Sequence, residues 1–536
     1  MKVMNEQIDN INLNKVREEY DTDYQVGQDN IKFLGLDVHN TVFSVSAGLI
    51  LLFIVGTLLF QDQAKVVLSG ARTWSIENFD WLFMIGCNLF VVFCLALIVS
   101  PFGRIRLGGI GAKPDFSTVS WFSMLFAAGM GIGLMFWSVA EPVAYYTNWY
   151  GTPLNVAPNT PEAAKLALGA TMFHWGLHPW AIYAVVGLAL AFFSYNKGLP
   201  LTIRSAFFPL IGDRCWGPIG NIIDILAVLA TVFGLATSLG LGAQQAAGGL
   251  HYLFGVSGGL STQICVIILV TVIASYSVAQ GLDGGVKLLS NINMVIAAGM
   301  IAMVFVLGPT LGIVKTVGTI ASSYAENILP LSNWIGRSDG TWYHGWTVFY
   351  WAWWVSWAPF VGMFIARVSR GRTIREFVTA VLLIPTVVTM LWMSIMGGTA
   401  IEQVSNGVGE LSKGISDVSL TMFQMFSQLP MAGVISFIAI MLVLVFFITS
   451  FDSGSLVVDS ITAGGKSDSP VPQRLFWTSV EGVIAAVLLI VGGSEALSAL
   501  QAGTVTTGLP FTVVLILMCL SLYLGLKSEM HLYKSR

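Results

Sequence analysis

Twelve apolar runs of about 20 residues, each long enough to cross a bilayer, punctuate the chain. They lie near 41–60, 81–100, 118–140, 170–195, 218–248, 262–279, 291–314, 346–366, 377–398, 431–450, 474–493 and 508–526. In hydrocarbon every backbone N–H and C=O must be paired inside the protein, which leaves helices as the structure for runs of this length. The expected fold is therefore an all-α membrane protein with 12 transmembrane helices. Composition agrees: 10% of the residues are charged and the mean hydropathy is +0.76, against about 25% charged in a soluble domain. A net charge of −3 over so long a chain says nothing about nucleic acid, and the sequence has no basic block of the kind such binding needs, so no nucleic-acid partner is expected. The first 40 residues are polar and lack the apolar core of a cleaved signal. The fifth run is long and rich in glycine, so a kink or a re-entrant part is open there. The stretch 316–335 is too polar to span and predicts an amphipathic helix at the interface. Placing the N-terminus inside puts 20 of the 26 Lys and Arg in inside segments, so both termini are expected in the cytoplasm.

The eighth run carries the strongest local signal. Six of the 17 Trp crowd into WYHGWTVFYWAWWVSW: Trp342, Trp346, Trp351, Trp353, Trp354 and Trp357. At helical spacing Trp346, Tyr350, Trp353 or Trp354, and Trp357 share a face. Pro359 then removes a backbone donor and Gly362 loosens the helix. An interfacial belt accounts for Trp342 and Trp346. It accounts poorly for Trp353, Trp354 and Trp357, which fall near mid-membrane; those three either pack in the core, face lipid, or form a cage of indole faces. Such a cage suits a quaternary ammonium or a sulfonium, at about 2 kcal/mol or more per desolvated contact. A second aromatic set, Trp175, Trp180 and Tyr183, stands in FHWGLHPWAIY of the fourth run.

The third run contains AAGMGIG, with Gly129, Gly131 and Gly133 alternating. Glycines there permit close helix packing, or a local unwinding that aims N–H groups at an anion and C=O groups at a cation. An onium head with a carboxylate tail would use both cage and unwound backbone. Runs three and eight stand five apart, as the first helices of two inverted repeats would. Thr449 and Ser450, in FFITSFDS, either bond back to their own helix or offer oxygens to sodium. Asp224, Glu481 and Glu141 are buried-segment carboxylates, functional by default. His174 and His178 read as polar residues at helix ends, the five Cys show no metal or disulfide spacing, and GGKS at 464–467 lacks the first glycine of a phosphate loop. No nucleophile–base pair appears, so no enzyme is expected.

At GMGIGLMFWSVAEP (129–142), FHWGLHPWAIY (173–183), the 349–377 segment and FFITSFDS (446–453) the sequence resembles the betaine/choline/carnitine transporter family. The resemblance implies a LeuT-type 5+5 inverted repeat (helices 3–7 and 8–12) after two extra helices, usually assembled as a homotrimer, and sodium-coupled uptake of compatible solutes across a bacterial inner membrane. The divisions would be 1–40 cytoplasmic, 41–117 extra helices, 118–315 first repeat, 316–345 periplasmic helix and loop, 346–526 second repeat and 527–536 a short cytoplasmic tail. By motif position the resemblance implies a substrate box of Trp175, Trp180, Tyr183, Trp353, Trp354 and Trp357, to which the shared face adds Trp346, beside the unwound Gly129, Gly131 and Gly133. It implies a main sodium site from Ala127 and Met130 carbonyls with Phe446, Thr449 and Ser450. The family's second cation position needs two Thr four apart near Phe360, but here Thr231 is followed by Leu235. Gly133, where choline carriers of the family have Asp, favours a zwitterion, and the absence of Arg or Lys in 218–248 favours sodium coupling over sodium-free exchange. Glycine betaine and dimethylsulfoniopropionate are the leading substrates, with a carnitine/betaine exchanger or an onium-solute sensor as alternatives. The short tail argues against osmotic regulation through it.

Overall fold

The computed structural model describes residues 19–129, 131–280 and 287–534. Numbering the helices of ten residues or more in chain order, α1 is Asn40–Leu59 and α2 Gln61–Val99. Next come α3 Thr118–Gly129, α4 Ile132–Thr147, α5 Pro161–Trp175, α6 Leu177–Tyr195 and α7 Pro218–Phe254. Then follow α8 Leu260–Gln280, α9 Lys287–Leu307, α10 Thr310–Ser332, α11 Val348–Val368 and α12 Ile374–Ser405. The last three are α13 Ala432–Thr462, α14 Val471–Gly492 and α15 Ala496–Glu529.

Every apolar run is helical, as its composition requires, though 118–140, 170–195 and 291–314 each extend over two helices. Nine stretches among the described residues are long and apolar enough to cross a membrane, ten if α9 and α10, bent by 112°, form one span. Two of the nine each cover a helix pair broken at a glycine, 161–195 and 471–529. The tally of crossings thus depends on how broken helices are grouped.

The breaks have local causes. Between α5 and α6, Gly176 leaves helical geometry, and a Cβ there would stand 2.7 Å from the Met172 carbonyl oxygen and 2.8 Å from the Tyr324 hydroxyl. That hydroxyl accepts from the Leu177 N–H at 2.9 Å, satisfying one orphan donor of α6. Thr373 and Glu376 form a capping box at the start of α12.

Two local expectations are corrected. Helix α7 runs unbroken through its glycines, because these serve packing: a Cβ on Gly234 would meet Ser356 Cβ at 2.8 Å, and one on Gly240 would meet Leu500 at 2.5 Å. Helix α11 stays continuous through Pro359, and Gly362 lets it approach α6, where a Cβ would lie 2.6 Å from Val186. Its irregularity sits earlier, in a wide turn over Tyr343–Thr347.

A feature without a sequence-based expectation precedes α1. Strands β1 (Asn30–Phe33) and β2 (Leu36–His39) pair antiparallel around Leu34 and Gly35, both with positive φ, as a two-residue hairpin turn requires. The segment leading to the hairpin is fastened to the ends of α6 and α7: Tyr20 N–H donates to the Lys197 carbonyl at 3.0 Å, and Tyr24 stacks on Trp216 at 4.2 Å. The hairpin is fastened to the α13–α14 turn, where Asn30 donates to the Ala463 carbonyl at 2.9 Å and Lys466 pairs with Asp37 at 2.7 Å.

Candidate functional site

Helices α4, α5, α6 and α11 meet around one internal cavity. Gly131, Gly133, Trp175, Trp180, Tyr183, Trp353, Trp354 and Trp357 line it, with Leu134, Pro179 and Thr389. The structure thus brings together six of the seven aromatic residues expected there and two of the three glycines. Trp353 and Trp354 lie nearly parallel at 4.9 Å, whereas Trp175 meets Trp354 edge-on at 4.9 Å. Trp357 stands perpendicular to Trp353 at 6.5 Å, and Tyr183 edge-on to Trp354 at 6.4 Å. Trp346 lies outside this cavity. It packs against Tyr145 at 4.9 Å and Trp137 at 5.2 Å, and lines a separate, larger cavity with Arg72, Glu77 and Glu495. One helical face carries both Trp346 and Trp353, but the two rings are roughly two turns apart along the axis.

The polar edges of the four central indoles are all tied to protein acceptors. Trp175 donates its N–H to Glu141 Oε2 at 2.7 Å and Trp353 to Ser238 Oγ at 3.1 Å; Trp354 donates to the His174 carbonyl at 2.9 Å and Trp357 to the Gly234 carbonyl at 3.1 Å. An indole has a single donor and no acceptor, so these rings have only π surface left for whatever occupies the cavity.

The glycine run does open the third segment. Helix α3 ends at Gly129, α4 begins at Ile132, and Gly131 is extended at φ −166°. The first-turn N–H groups of α4 have no intrahelical acceptor, and Gly131 and Gly133 put that turn on the cavity wall. Gly133 is fixed there by space, since a Cβ would stand 2.6 Å from Trp353 Cη2 and 3.1 Å from Trp175 Cη2.

A second cavity adjoins the first through Trp357. Ala127, Phe446, Thr449 and Ser450 line it together with Asn293 and Phe360. Met130 lies outside the described residues. Thr449 bonds back to the Val445 and Phe446 carbonyls at 3.0 and 3.2 Å, and accepts from Asn293 Nδ2 at 3.2 Å; Asn293 Oδ1 is buried with no hydrogen-bond partner. Thr231 bonds back to the Ala227 carbonyl at 2.7 Å, and Leu235 fills the space beside Gly454. No hydroxyl therefore stands at position 235. Among the described residues no group of three His, Cys, Asp or Glu is arranged to hold a metal.

The buried carboxylates each have a hydrogen-bond donor. Asp224 accepts from the Arg204 backbone N–H at 3.0 Å and from its guanidinium at 2.5 Å; Asp452 accepts from Ser277 at 2.5 Å and Glu481 from Ser455 at 2.7 Å. Glu141 alone among these reaches the cage. His174 lies beside it, 2.8 Å from Oε1, while His178 is 3.1 Å from Asn88 Oδ1. The acceptors Ser238 and Gly234 were not foreseeable, since nothing in GLATSLG marks them as partners of distant indoles.

Residues 41–531 match the model of the betaine/carnitine/choline family of transporters. The chain is 65% identical over 512 residues to glycine betaine transporter 1 of Vibrio parahaemolyticus, covering 95% of this chain and 97% of that one. It is 60% identical to a glycine betaine/proline/choline/ectoine transporter of the same organism, over 96% of this chain and 92% of the relative. With the glycine betaine transporter OpuD of Bacillus subtilis the identity is 43%, over 91% and 95%. A multi-pass helical membrane protein of this similarity is a transporter, not an enzyme: the chain belongs to the betaine/carnitine/choline transporter family.

Proposed function

We propose that the protein imports a small zwitterionic onium solute together with sodium, with glycine betaine as the first candidate and dimethylsulfoniopropionate as the second. The observation that carries this reading is the orientation of Trp175, Trp353, Trp354 and Trp357, each with its N–H turned into the protein. A wall of π faces attracts a cation and offers no partner to an ammonium N–H, whose burial unpaired costs about 1–3 kcal/mol. A permanently methylated head avoids that cost, and ammonium and sulfonium heads meet it equally well. The carboxylate tail is assigned to the N–H groups at the start of α4, from its cap Gly131 to Gly133 in its first turn, where the helix dipole adds to its binding. The names of the Vibrio and Bacillus relatives support betaine as substrate.

Sodium is a co-transported substrate in this reading. Its ligands would be the Ala127, Met130 and Phe446 carbonyls with the Thr449 and Ser450 hydroxyls. The shared wall at Trp357 supplies the physical link by which one ligand changes affinity for the other. Assembly as a homotrimer in the bacterial inner membrane, with both termini cytoplasmic, completes the proposal. Uptake of labelled betaine into proteoliposomes, with and without an inward sodium gradient, tests it, with dimethylsulfoniopropionate, carnitine, choline and proline as competitors. Gradient-driven accumulation is expected. Equal uptake without sodium would assign the protein to solute exchange, and binding without accumulation would make it a sensor.

A further inference from the structure

Glu141 is fully buried on α4, about two turns beyond the glycine run, and hydrogen-bonding groups from three helices converge on it. Its Oε1 accepts from the Tyr145 hydroxyl at 2.8 Å and lies 2.8 Å from His174 Nδ1. Its Oε2 accepts from Trp175 Nε1 at 2.7 Å and from the Tyr350 hydroxyl at 2.5 Å. A carboxylate offers about four lone-pair sites, so these four groups fill it. His174 is held at its other nitrogen, 2.9 Å from Thr347 Oγ1, and its backbone carbonyl takes the Trp354 N–H. Of the four central indoles Trp175 is therefore held directly by the Glu141 side chain, whereas Trp354 is held by the backbone of α5 at His174.

We infer that Glu141 is a positioning residue of the onium cage, setting the angle of Trp175 without touching the solute. The inference rests on the reading of the cavity as an onium site. Of the four partners, Trp175 is the one with no alternative: its N–H can only donate, whereas tyrosine hydroxyls and a histidine ring can reverse roles. Removing the acceptor leaves a buried donor unpaired, and the ring turns to find another.

The test is a double-mutant cycle on the full-length protein, reading the KM and maximal rate of betaine uptake in proteoliposomes with sodium inside and out defined. Glu141→Leu is expected to raise KM about tenfold while the maximal rate per correctly assembled protein changes far less. Glu141→Gln should raise it less than Glu141→Leu, because its carbonyl can take the Trp175 N–H and its amide can donate to Tyr145. In a Trp175→Phe background, where no N–H remains to be oriented, Glu141→Leu should add less than about a third of its effect in the wild-type chain. Additive effects, or a loss confined to the maximal rate, would overturn the inference. Should the leucine variant fail to assemble, the same cycle is run with Glu141→Gln, and additivity there counts equally against it. Trp354→Ala is the control on the underlying reading. If it leaves KM unchanged the cage is not the binding site, whereas a raised KM with an additive cycle refutes the role of Glu141 alone.

Discussion

Replacing Gly133 by Ala adds one methyl group at the point where backbone and cage are closest. Gly133 lies inside helix α4 with no positive φ, so the substitution brings no backbone strain and isolates the steric term. The new carbon would stand 2.6 Å from Trp353 Cη2, 3.1 Å from Trp175 Cη2 and 3.3 Å from Trp353 Cζ3, where ordinary carbon contacts are about 3.5–4.0 Å. The Trp353 edge must therefore retreat by roughly 1 Å. It has little freedom to do so, because Phe349 stacks on it at 5.5 Å and 16°, Trp354 at 4.9 Å and 13°, and Ser238 holds its N–H. Overpacking of this kind costs about 1–3 kcal/mol, and if the displaced ring is the cost to the bound state, betaine affinity falls about 5- to 150-fold. Equilibrium binding and uptake KM, measured alongside thermal unfolding, separate a narrowed cage from a destabilised fold. A KM within about twofold of the wild-type value, with the melting temperature unchanged, would refute the claim that Gly133 sets the width of the cage.

Three further outcomes follow from the geometry. Trp354→Ala removes one cation–π face and should cost about 2 kcal/mol, roughly 30-fold in betaine affinity; a titration showing less than threefold would remove that ring from the site. Thr449→Ala combined with Ser450→Ala should weaken or abolish the sodium dependence of uptake, and full dependence in flux assays would place the ion elsewhere. His39 accepts from the Val42 N–H at 3.3 Å as the cap of α1, and its pKa is pushed down to about 4, first by burial and then by the Arg204 charge. The ordinary value is about 6.5, so the unfolded or undocked form takes up the proton first. The stability due to neutral His39 is complete above that value and lost as pH falls towards 4. Proteolysis of the 20–39 segment should accelerate between these limits, and a rate independent of pH would contradict the assignment.

Most of the helical frame was legible because hydrocarbon leaves the backbone so few options: nine of the twelve runs each fall on one helix, and 118–140, 170–195 and 291–314 each cross a break between two. The aromatic lining of one cavity was legible from spacing and from its motif, at Trp175, Trp353, Trp354 and Trp357. What the sequence could not distinguish was glycine for packing from glycine for unwinding. The same residue type opens the chain between Gly129 and Ile132, yet at Gly234 and Gly240 it only lets α7 press against Ser356 and Leu500. That difference is decided by the facing helix, which local sequence does not contain. Trp346 was misplaced for a related reason, since a shared face does not imply a shared depth. Glu141 was visible as a costly carboxylate, but its four partners come from three helices and no pattern joins them. The hairpin escaped notice because its strands are four residues each and its turn is Leu-Gly, a weak signal beside Asn-Gly.

That hairpin has a mechanical consequence. Its fastenings fall on either side of a seam, with Lys197, Arg204 and Trp216 on one bank and Ala463, Lys466 and Gln473 on the other. A swing that parts the two banks first breaks the His39–Arg204 contact and then draws on the slack between Tyr24 and Asn30, six residues that reach about 20 Å at full stretch. Spin labels at the exposed positions 214 and 468 would report whether the gap ever exceeds that reach. Within it the lace merely tightens, and beyond it every stitch on one bank must come undone before the protein can gape any wider.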